Sequence, residues 1–515
     1  MRARQPAIVG VGQLNYAALY ASKVPNDAIS LGAQALSLAI EDCGIAKGDI
    51  DGLITSRIPY TVTADALGLK NLWLINELEG SGRMSGVAVQ YAAAMIETGQ
   101  AEVVALVYGN NGRSSAMAYG GEAFPNSTSI YNHYQGMTSP GAAVAMMYRR
   151  YQHEFGIADG ALANFAINNR RNAALNAGAV MRNPITVDDY MAARFIAAPL
   201  RMLDYCIIND GGVCLIMTTM ERARDLAKRP VVLAATATRG ETSGHYWSRD
   251  FFFGNARQAA DRLHRQAGFV PEDIDVLQVY DNFTPAIAFG LEGFGFAARG
   301  EATAWATLDQ IGLGGRQPIN TAGGHTGESY MQGWGAPCRS SSPIAWRMRR
   351  TASSGCQYCA VHLHFADRIL AHSGGSVTMI DKDLLVASME PITEVDRGFW
   401  EGTRVGELRL HASPTGKLYF PQTSADADTL ETDFHWQKVS GRGTLWSWIV
   451  MHQKYLKAYA GAVPYVVGRI ELEEGPMIIS RLVGRTDDLV CDMPVEVVFE
   501  RLDDERTLPV FRAVR

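Results

Sequence analysis

"GIAKGDIDGLI" (residues 44–54) and "GFVPEDIDVLQ" (residues 268–278) decide the fold, because the second repeats the first. Gly44, Asp49, Ile50, Asp51 and Leu53 recur in register as Gly268, Asp273, Ile274, Asp275 and Leu277. Each copy follows an amphipathic run, "AISLGAQALSLAIEDC" (28–43) or "NARQAADRLHRQA" (255–267), whose apolar residues recur at helical spacing. The glycine at each junction is a helix stop, since it can take the left-handed conformation that ends a helix. A strand-like run precedes each helix, "PAIVGVG" (6–12) and "PVVLAATAT" (230–238). A β-α-β unit used twice predicts an internally duplicated α/β fold over residues 1–385, with halves at about 1–225 and 226–385. "MSGVAVQYAAAMIETG" (84–99) and "AEVVALVYG" (101–109) add a helix and a buried strand to the first half.

The pattern changes near residue 385. A polar stretch, 386–397, reads as a linker, and "FWEG" (399–402) follows it. Short apolar runs separated by turns then fill 398–515: "GELRLHAS", "GKLYFP", "GRGTLWSWIVM", "PYVVGRIEL", "GPMIISRLV" and "PVEVVFERL". Such evenly spaced short strands predict a small all-β barrel or sandwich.

Composition narrows the function. The chain has 515 residues, 47% hydrophobic and 19% charged, enough to bury large cores. A formal net charge of −6 and the lack of a long Lys/Arg cluster give no nucleic-acid footprint. Seven scattered cysteines, an odd number, do not form a disulfide framework and point to a reducing, cytoplasmic setting. "MRARQPAIVGVGQLN" is basic, but its apolar run is too short and glycine-broken for a signal peptide. No apolar run approaches about 18 residues, so no membrane span is predicted. The glycosylation-like triplets at Asn126 and Asn282 are then chance matches.

Five motifs carry candidate chemistry. "CQYC" puts Cys356 and Cys359 at ligand spacing, but a zinc ribbon needs a second pair and none follows. "HLHF" sets His362 and His364 on one strand face with no third ligand patterned beside them, so no metal is predicted. "EGSGRMSG" (79–86) is a small-residue turn entering a helix, where backbone N–H groups and the positive dipole end favour an oxyanion. Gly82, Ser85 and Gly86 are candidates there, and a tight packing turn accounts for them equally well. "VYDNFTP" (279–285) puts Tyr280 and Asn282 where the repeat ends its strand, the usual place for ligands in open α/β sheets. "GGHTGESYMQG" (323–333) lines a turn with Gly323, Gly324 and His325 and presents Tyr330, a phenol with an ordinary pKa of about 10.

Residues 5–383 resemble the thiolase superfamily, in its sterol-carrier-protein-x-type, lipid-transfer-like branch. The resemblance rests on residues 165–226, from "FAINNRRNAALNAG" to "DGGVCLIMTTMERARDL", with "YNHYQGMTSPGAAVAMMYRRYQHEFG" and "INTAGGHTGESY". It implies a duplicated five-layer α-β-α-β-α thiolase fold. The C-terminal strands resemble the OB-fold domain that accompanies such proteins. Relatives often precede that barrel with a four-cysteine zinc ribbon, but here the ligand positions hold Ala412, Thr415, Asp426 and Thr429. The glycine-rich loop of the family reads "HFADRILAHSGG" in this chain, which alters the pocket.

The departures point to a different reaction. Thiolases of the family carry a nucleophilic cysteine in the turn that here reads Gly82-Arg83-Met84-Ser85-Gly86. They carry histidines where this chain has Tyr280 and Tyr330. Claisen cleavage needs a thiolate to hold the acyl group, whereas retro-aldol cleavage of a β-hydroxyacyl-CoA needs only acid–base groups and an oxyanion hole. The double-tyrosine, cysteine-free pattern resembles the thiolase-like aldolases that split a 17-hydroxy steroid carboxyl-CoA into a 17-ketosteroid and propionyl-CoA. That implies acid–base roles for Tyr280 and Tyr330, an acyl-CoA substrate and no separate cofactor. A homodimer and an enoyl-CoA hydratase docked on the OB-fold domain are further implications. Two other classes compete: an acyl-CoA or lipid carrier that scaffolds a hydratase, and an acyltransferase or condensing enzyme working without cysteine.

Overall fold

The computed structural model describes residues 4–78, 82, 84–121, 130–226, 229–240, 248–335, 360–361 and 380–514. Asn126, Cys356, Cys359, His362, His364 and the 364–375 loop lie outside these residues. The first half supplies β1 (Pro6–Gln13), β2 (Gly52–Ser56), β3 (Leu74–Leu78), β4 (Val103–Asn111), β5 (Phe195–Ala198), β6 (Leu200–Arg201), β7 (Asp210–Thr219) and β8 (Val231–Val232). Six of them form one sheet in the order β3-β2-β4-β7-β1-β8. β2 pairs in parallel with β3 and β4, and the remaining ladders are antiparallel.

β4 and β7 are almost continuously apolar because both sheet faces are covered. Ala35, Leu36 and Ala39 of the helix Ala28–Cys43 pack on one face, and Val89, Ala92 and Ile96 of the helix Met84–Glu97 on the other. Glycines on three adjacent strands let the first helix touch the sheet backbone. A Cβ on Gly12 would lie 1.8 Å from Ala35 O, on Gly109 2.0 Å from Ala28 O, and on Gly212 2.1 Å from Leu31 O.

The repeat is plain in three dimensions. The helix Ala28–Cys43 stops at Gly44 and the helix Phe253–Ala267 at Gly268, with φ of 74° and 73°. Short 3-10 turns follow at Lys47–Asp49 and Pro271–Asp273, then β2 in one half and β9 (Gln278–Val279) in the other. β9 pairs in parallel with β10 (Ala360–Val361). The run at 230–238 differs from its predicted place. Val231 and Val232 extend the first sheet antiparallel to Ile8 and Ala7, because the free edge of β1 offers a ladder there.

The C-terminal region is a closed barrel. β14 (Arg442–Met451), β15 (Tyr465–Leu472), β16 (Met477–Leu482), β17 (Pro494–Arg501) and β18 (Thr507–Ala513) pair as β14-β15-β16-β18-β17, and β17 returns to β14. Ahead of it, β11 (Arg409–Ala412), β12 (Leu418–Tyr419) and β13 (His435–Lys438) form a three-stranded sheet. The barrel is not a free appendage. β5 continues its sheet, with Ala198 opposite Val450 and Ala197 opposite Met451. The helix Pro140–Phe155 lies against β14: Ser447 Oγ donates to Met146 O at 2.6 Å, and the Arg149 guanidinium sits 3.6 Å from the Trp448 ring centre. Tyr459 and Tyr465 hydroxyls donate to Tyr134 O and Gly136 O at 2.7 and 2.8 Å. Residues just before and within the predicted linker are tied down as well, since Asp381 N donates to Ala458 O and Glu390 N to the Tyr134 hydroxyl. No helix among the described residues is long and apolar enough to cross a membrane.

At the degenerate ribbon, hydrogen bonds gather where metal ligands are missing. Buried Asp426 accepts from Asp428 N at 2.8 Å, Thr429 N at 3.0 Å and Thr415 Oγ1 at 3.3 Å. Ser413 and Thr415 hydroxyls meet at 2.8 Å. Hydrogen bonding from Ser413 and the two backbone amides holds the Asp426 carboxyl well below the usual carboxylate range. A depressed folded-state pKa stabilises the fold above the unfolded value, about 3.9, and that contribution is lost as pH falls through the folded value. Asp426→Ala strands these donors, so its urea midpoint falls below wild type at pH 7. The gap between the two proteins narrows only below about pH 4. Urea unfolding at pH 7 and pH 3 checks both statements.

Candidate active site

Two loops bring the site together, and each contributes one tyrosine. Tyr280 follows directly on β9, at the carboxyl end of that strand. Tyr330 follows the short helical turn Gly324–Gly327 and is anchored through its backbone N–H to Ile207 O. Both rings are buried, and their hydroxyls meet at 2.9 Å. Two phenols this close hydrogen-bond, and either can be the donor.

Behind the pair lies a clamp. Asp281, fully buried, accepts from His325 N at 2.9 Å and lies 2.5 Å from His325 Nδ1. Asn169 Nδ2 donates to the same carboxylate at 2.7 Å. His325 Nε2 accepts the Gly333 N–H at 3.1 Å, which assigns the ring hydrogen to Nδ1, directed at Asp281. Both ring nitrogens are therefore engaged within the protein. The imidazole packs edge-on against both tyrosines, with ring centres 4.9 Å from Tyr280 and 5.4 Å from Tyr330. It is a positioning residue.

The other predicted residues divide by what they touch. Gly82 faces Tyr280 directly: a Cβ there would lie 2.0 Å from the phenol oxygen. Ser85 is buried and donates to Gly82 O at 3.3 Å, capping the turn, while Gly86 lies one residue on in the helix Met84–Glu97. Gly324 is glycine because Asp281 Oδ2 lies 2.2 Å from where its Cβ would be, and Gly323 because Ala173 crowds it. The N–H groups of Gly323 and His325 are taken by Asn320 O and Asp281. Asn282 is buried, accepts Phe283 N on its own side chain and receives Cys206 N on its carbonyl.

Several neighbours escaped the sequence reading. Tyr119 meets Tyr330 edge-on, with centres 5.9 Å apart at 82°. Burial pushes its phenol up, opposed by the Arg57 guanidinium. Tyr108, likewise pushed up by burial, donates to Gln332 Oε1 at 3.0 Å. Cys206 adjoins this group, and burial together with the Asp281 carboxylate raises its thiol, so it is no thiolate. Asp281 was visible beside Tyr280 in "VYDNFTP", and Asn169 stands in "FAINNRRN". No pattern marks Tyr119.

Comparison with known proteins bears on the family. Residues 238–354 match the family model described as thiolase C-terminal domain-like, and residues 436–500 the model for the ChsH2 C-terminal OB-fold domain. The chain is 34% identical over 351 residues to 17-hydroxy-3-oxo-4-pregnene-20-carboxyl-CoA lyase of Mycobacterium tuberculosis, covering 65% of this chain and 89% of the relative. It is 32% identical over 343 residues to a steroid side-chain-cleaving aldolase of Thermomonospora curvata, covering 64% and 87%. Among solved structures it resembles an Ltp2-ChsH2(DUF35) aldolase, at TM-score 0.60 and 31% identity over 65% of this chain and 88% of that one. A sterol-carrier-protein-2-thiolase-like protein of Mycobacterium smegmatis shares the fold along 99% of both chains, at TM-score 0.62 and 15% identity. The chain belongs to the thiolase-like family of steroid side-chain-cleaving aldolases and is a carbon–carbon lyase whose thiolase-like domain is fused to an OB-fold barrel.

Proposed function

We propose that the chain cleaves a β-hydroxyacyl-CoA with a steroid-type acyl group, releasing a ketone and a shortened acyl-CoA such as propionyl-CoA. The observation that carries this is the 2.9 Å contact between the Tyr280 and Tyr330 hydroxyls. One phenol, as its oxyanion, takes the proton of the substrate β-hydroxyl. The C–O bond becomes a carbonyl, the Cα–Cβ bond breaks, and its electron pair passes into the thioester enolate. The second phenol protonates Cα, and one proton hop across the hydroxyl pair restores the starting state. Either tyrosine fills either role. No acyl group is held covalently, in keeping with the cysteine-free turn at 82–86 and with a neutral Cys206.

Relatives support the substrate class by their names: a 17-hydroxy-3-oxo-4-pregnene-20-carboxyl-CoA lyase and a steroid side-chain-cleaving aldolase. A hydratase alpha subunit of Mycobacterium tuberculosis is 32% identical over 24% of this chain, which supports association with a hydratase that supplies the hydroxyl. We also infer a homodimer formed along β3. That strand is a sheet edge, and Ile75 on it, Trp73 before it and Val62 nearby expose large apolar surface, Trp73 at 86%. No metal or separate cofactor has a role in this reaction. We place the enzyme in the cytoplasm, in keeping with the odd number of scattered cysteines in the sequence.

Three outcomes test these readings. Tyr280→Phe and Tyr330→Phe each lower kcat for a steroid β-hydroxyacyl-CoA by about 10²–10⁴-fold, the usual worth of a general acid or base, while CoA-ester binding by calorimetry persists. Unchanged turnover in both variants would remove the phenols from the chemistry, and a wild type that binds CoA esters but cleaves none would return the chain to a carrier role. Gly82→Ala drives its methyl into the Tyr280 phenol, so it lowers both kcat and the unfolding midpoint. In a Tyr280→Ala background the same change costs little stability, and equal costs in both backgrounds would show the two positions to be uncoupled. Light scattering finds two chains per particle for wild type and one for Ile75→Lys, and wild type mixed with a steroid enoyl-CoA hydratase co-elutes with it.

A further inference from the structure

The barrel reaches the active site through one side chain. Tyr455 lies in the barrel segment between β14 and β15, and its ring is flat against Gly120. A Cβ on Gly120 would lie 2.8 Å from two of its ring carbons, and one on Gly121 would lie 2.8 Å from its carbonyl oxygen. Both glycines adopt positive φ, 144° and 93°, so this close approach is built into the chain. Thr138 Oγ1 accepts the Gly121 N–H at 3.1 Å, and the neighbouring Ser139 side chain hydrogen-bonds the Tyr455 phenol. The two glycines are therefore held by both Tyr455 and Thr138. Tyr119, immediately before them, is the residue whose ring stands edge-on against Tyr330.

We propose that Tyr455 is a positioning residue for Tyr330, acting through the Tyr119–Gly121 turn, so that the fused barrel completes the acid–base site of its own chain. The other supports of Tyr330 belong to the thiolase-like domain: His325, Tyr280 and the backbone of Ile207. Among the described residues, the Tyr119 wall is the side of Tyr330 seen held from the barrel. A phenol moving a proton must stay aligned, and misplacement by about 1 Å costs on the order of 10²-fold in rate. Fusion fixes the copy number of this support at one per site, without a second subunit having to bind.

The turnover arm of the test rests on the proposed retro-aldol reaction, and the exchange arm does not. In the full-length chain, Tyr455→Ala lowers kcat by about 10–100-fold. The dissociation constant for the CoA ester stays near wild type, and Tyr455→Phe, which keeps the ring, restores kcat. Hydrogen exchange of amides 112–121 quickens in Tyr455→Ala, while amides 442–451 of the barrel keep their protection. Tyr455→Leu, which retains apolar bulk without a flat ring, gives the same signature if the alanine variant folds poorly. Unchanged kcat with unchanged exchange at 112–121 overturns the proposal, as does faster exchange spread equally over the barrel. If wild type cleaves no β-hydroxyacyl-CoA, the reaction assignment fails, and exchange at 112–121 alone decides the role of Tyr455.

Discussion

The Asp281–His325 clamp is the interaction on which the site depends. Asp281 follows Tyr280 in one loop and His325 precedes Tyr330 by a single helical turn in the other, so joining them brings the two phenols face to face. The carboxylate is fully enclosed and accepts from a ring nitrogen, a backbone amide and the Asn169 side chain. A buried charge with that many donors is tolerable only when all are in place, and removing one partner of such a pair typically costs about 3–5 kcal/mol. The clamp also accounts for Gly324, since nothing larger fits beside Asp281 Oδ2. What looked like a glycine loop shaped for a ligand is shaped first for a carboxylate.

The second constraint is the merger of two domains into one body. A single apolar cluster runs from Met146, Tyr148 and Tyr151 of the helix Pro140–Phe155 through Trp446, Trp448 and Ile449 of β14. Arg149 is buried against Trp448, a cation over an aromatic face with the charge removed from water. Gln135 bridges the domains twice, donating to Pro509 O at 3.0 Å and accepting Arg481 N at 2.9 Å. Paired groups of this kind hold the barrel in one orientation, whereas apolar contact alone would allow sliding. Residues 131–139, which form this seam, also lead into the segment that supports the site through Thr138 and Ser139.

Much of this was legible in the sequence, and the gaps have physical causes. The repeat at Gly44 and Gly268 located two helices, two turns and two strands, because local signals end a helix wherever they occur. Val231–Val232 was read as a strand but assigned to the wrong sheet, since two β-branched residues do not say which free edge will take them. The barrel strands were visible one by one, yet their partner was not: Met146, Met147 and Tyr148 read equally well as core of their own domain. Tyr280 and Tyr330 came from a resemblance, and the structure places their hydroxyls in contact. Tyr119 and Tyr455 were beyond reach because their roles arise only from long-range packing.

The seating of the phenol pair rests on volume at one position. A carbon and an oxygen in contact need about 3.5 Å. A side chain at Gly82 would begin 2.0 Å from the Tyr280 oxygen and 2.1 Å from the ring carbon that bears it. Relief would turn the ring away and break the 2.9 Å hydroxyl contact, because Tyr330 is held on its own side by Ile207, His325 and Tyr119. A side chain at 82 and a paired phenol at 280 are thus mutually exclusive. The glycine at 82 is therefore as much a part of the lyase as the tyrosines it makes room for.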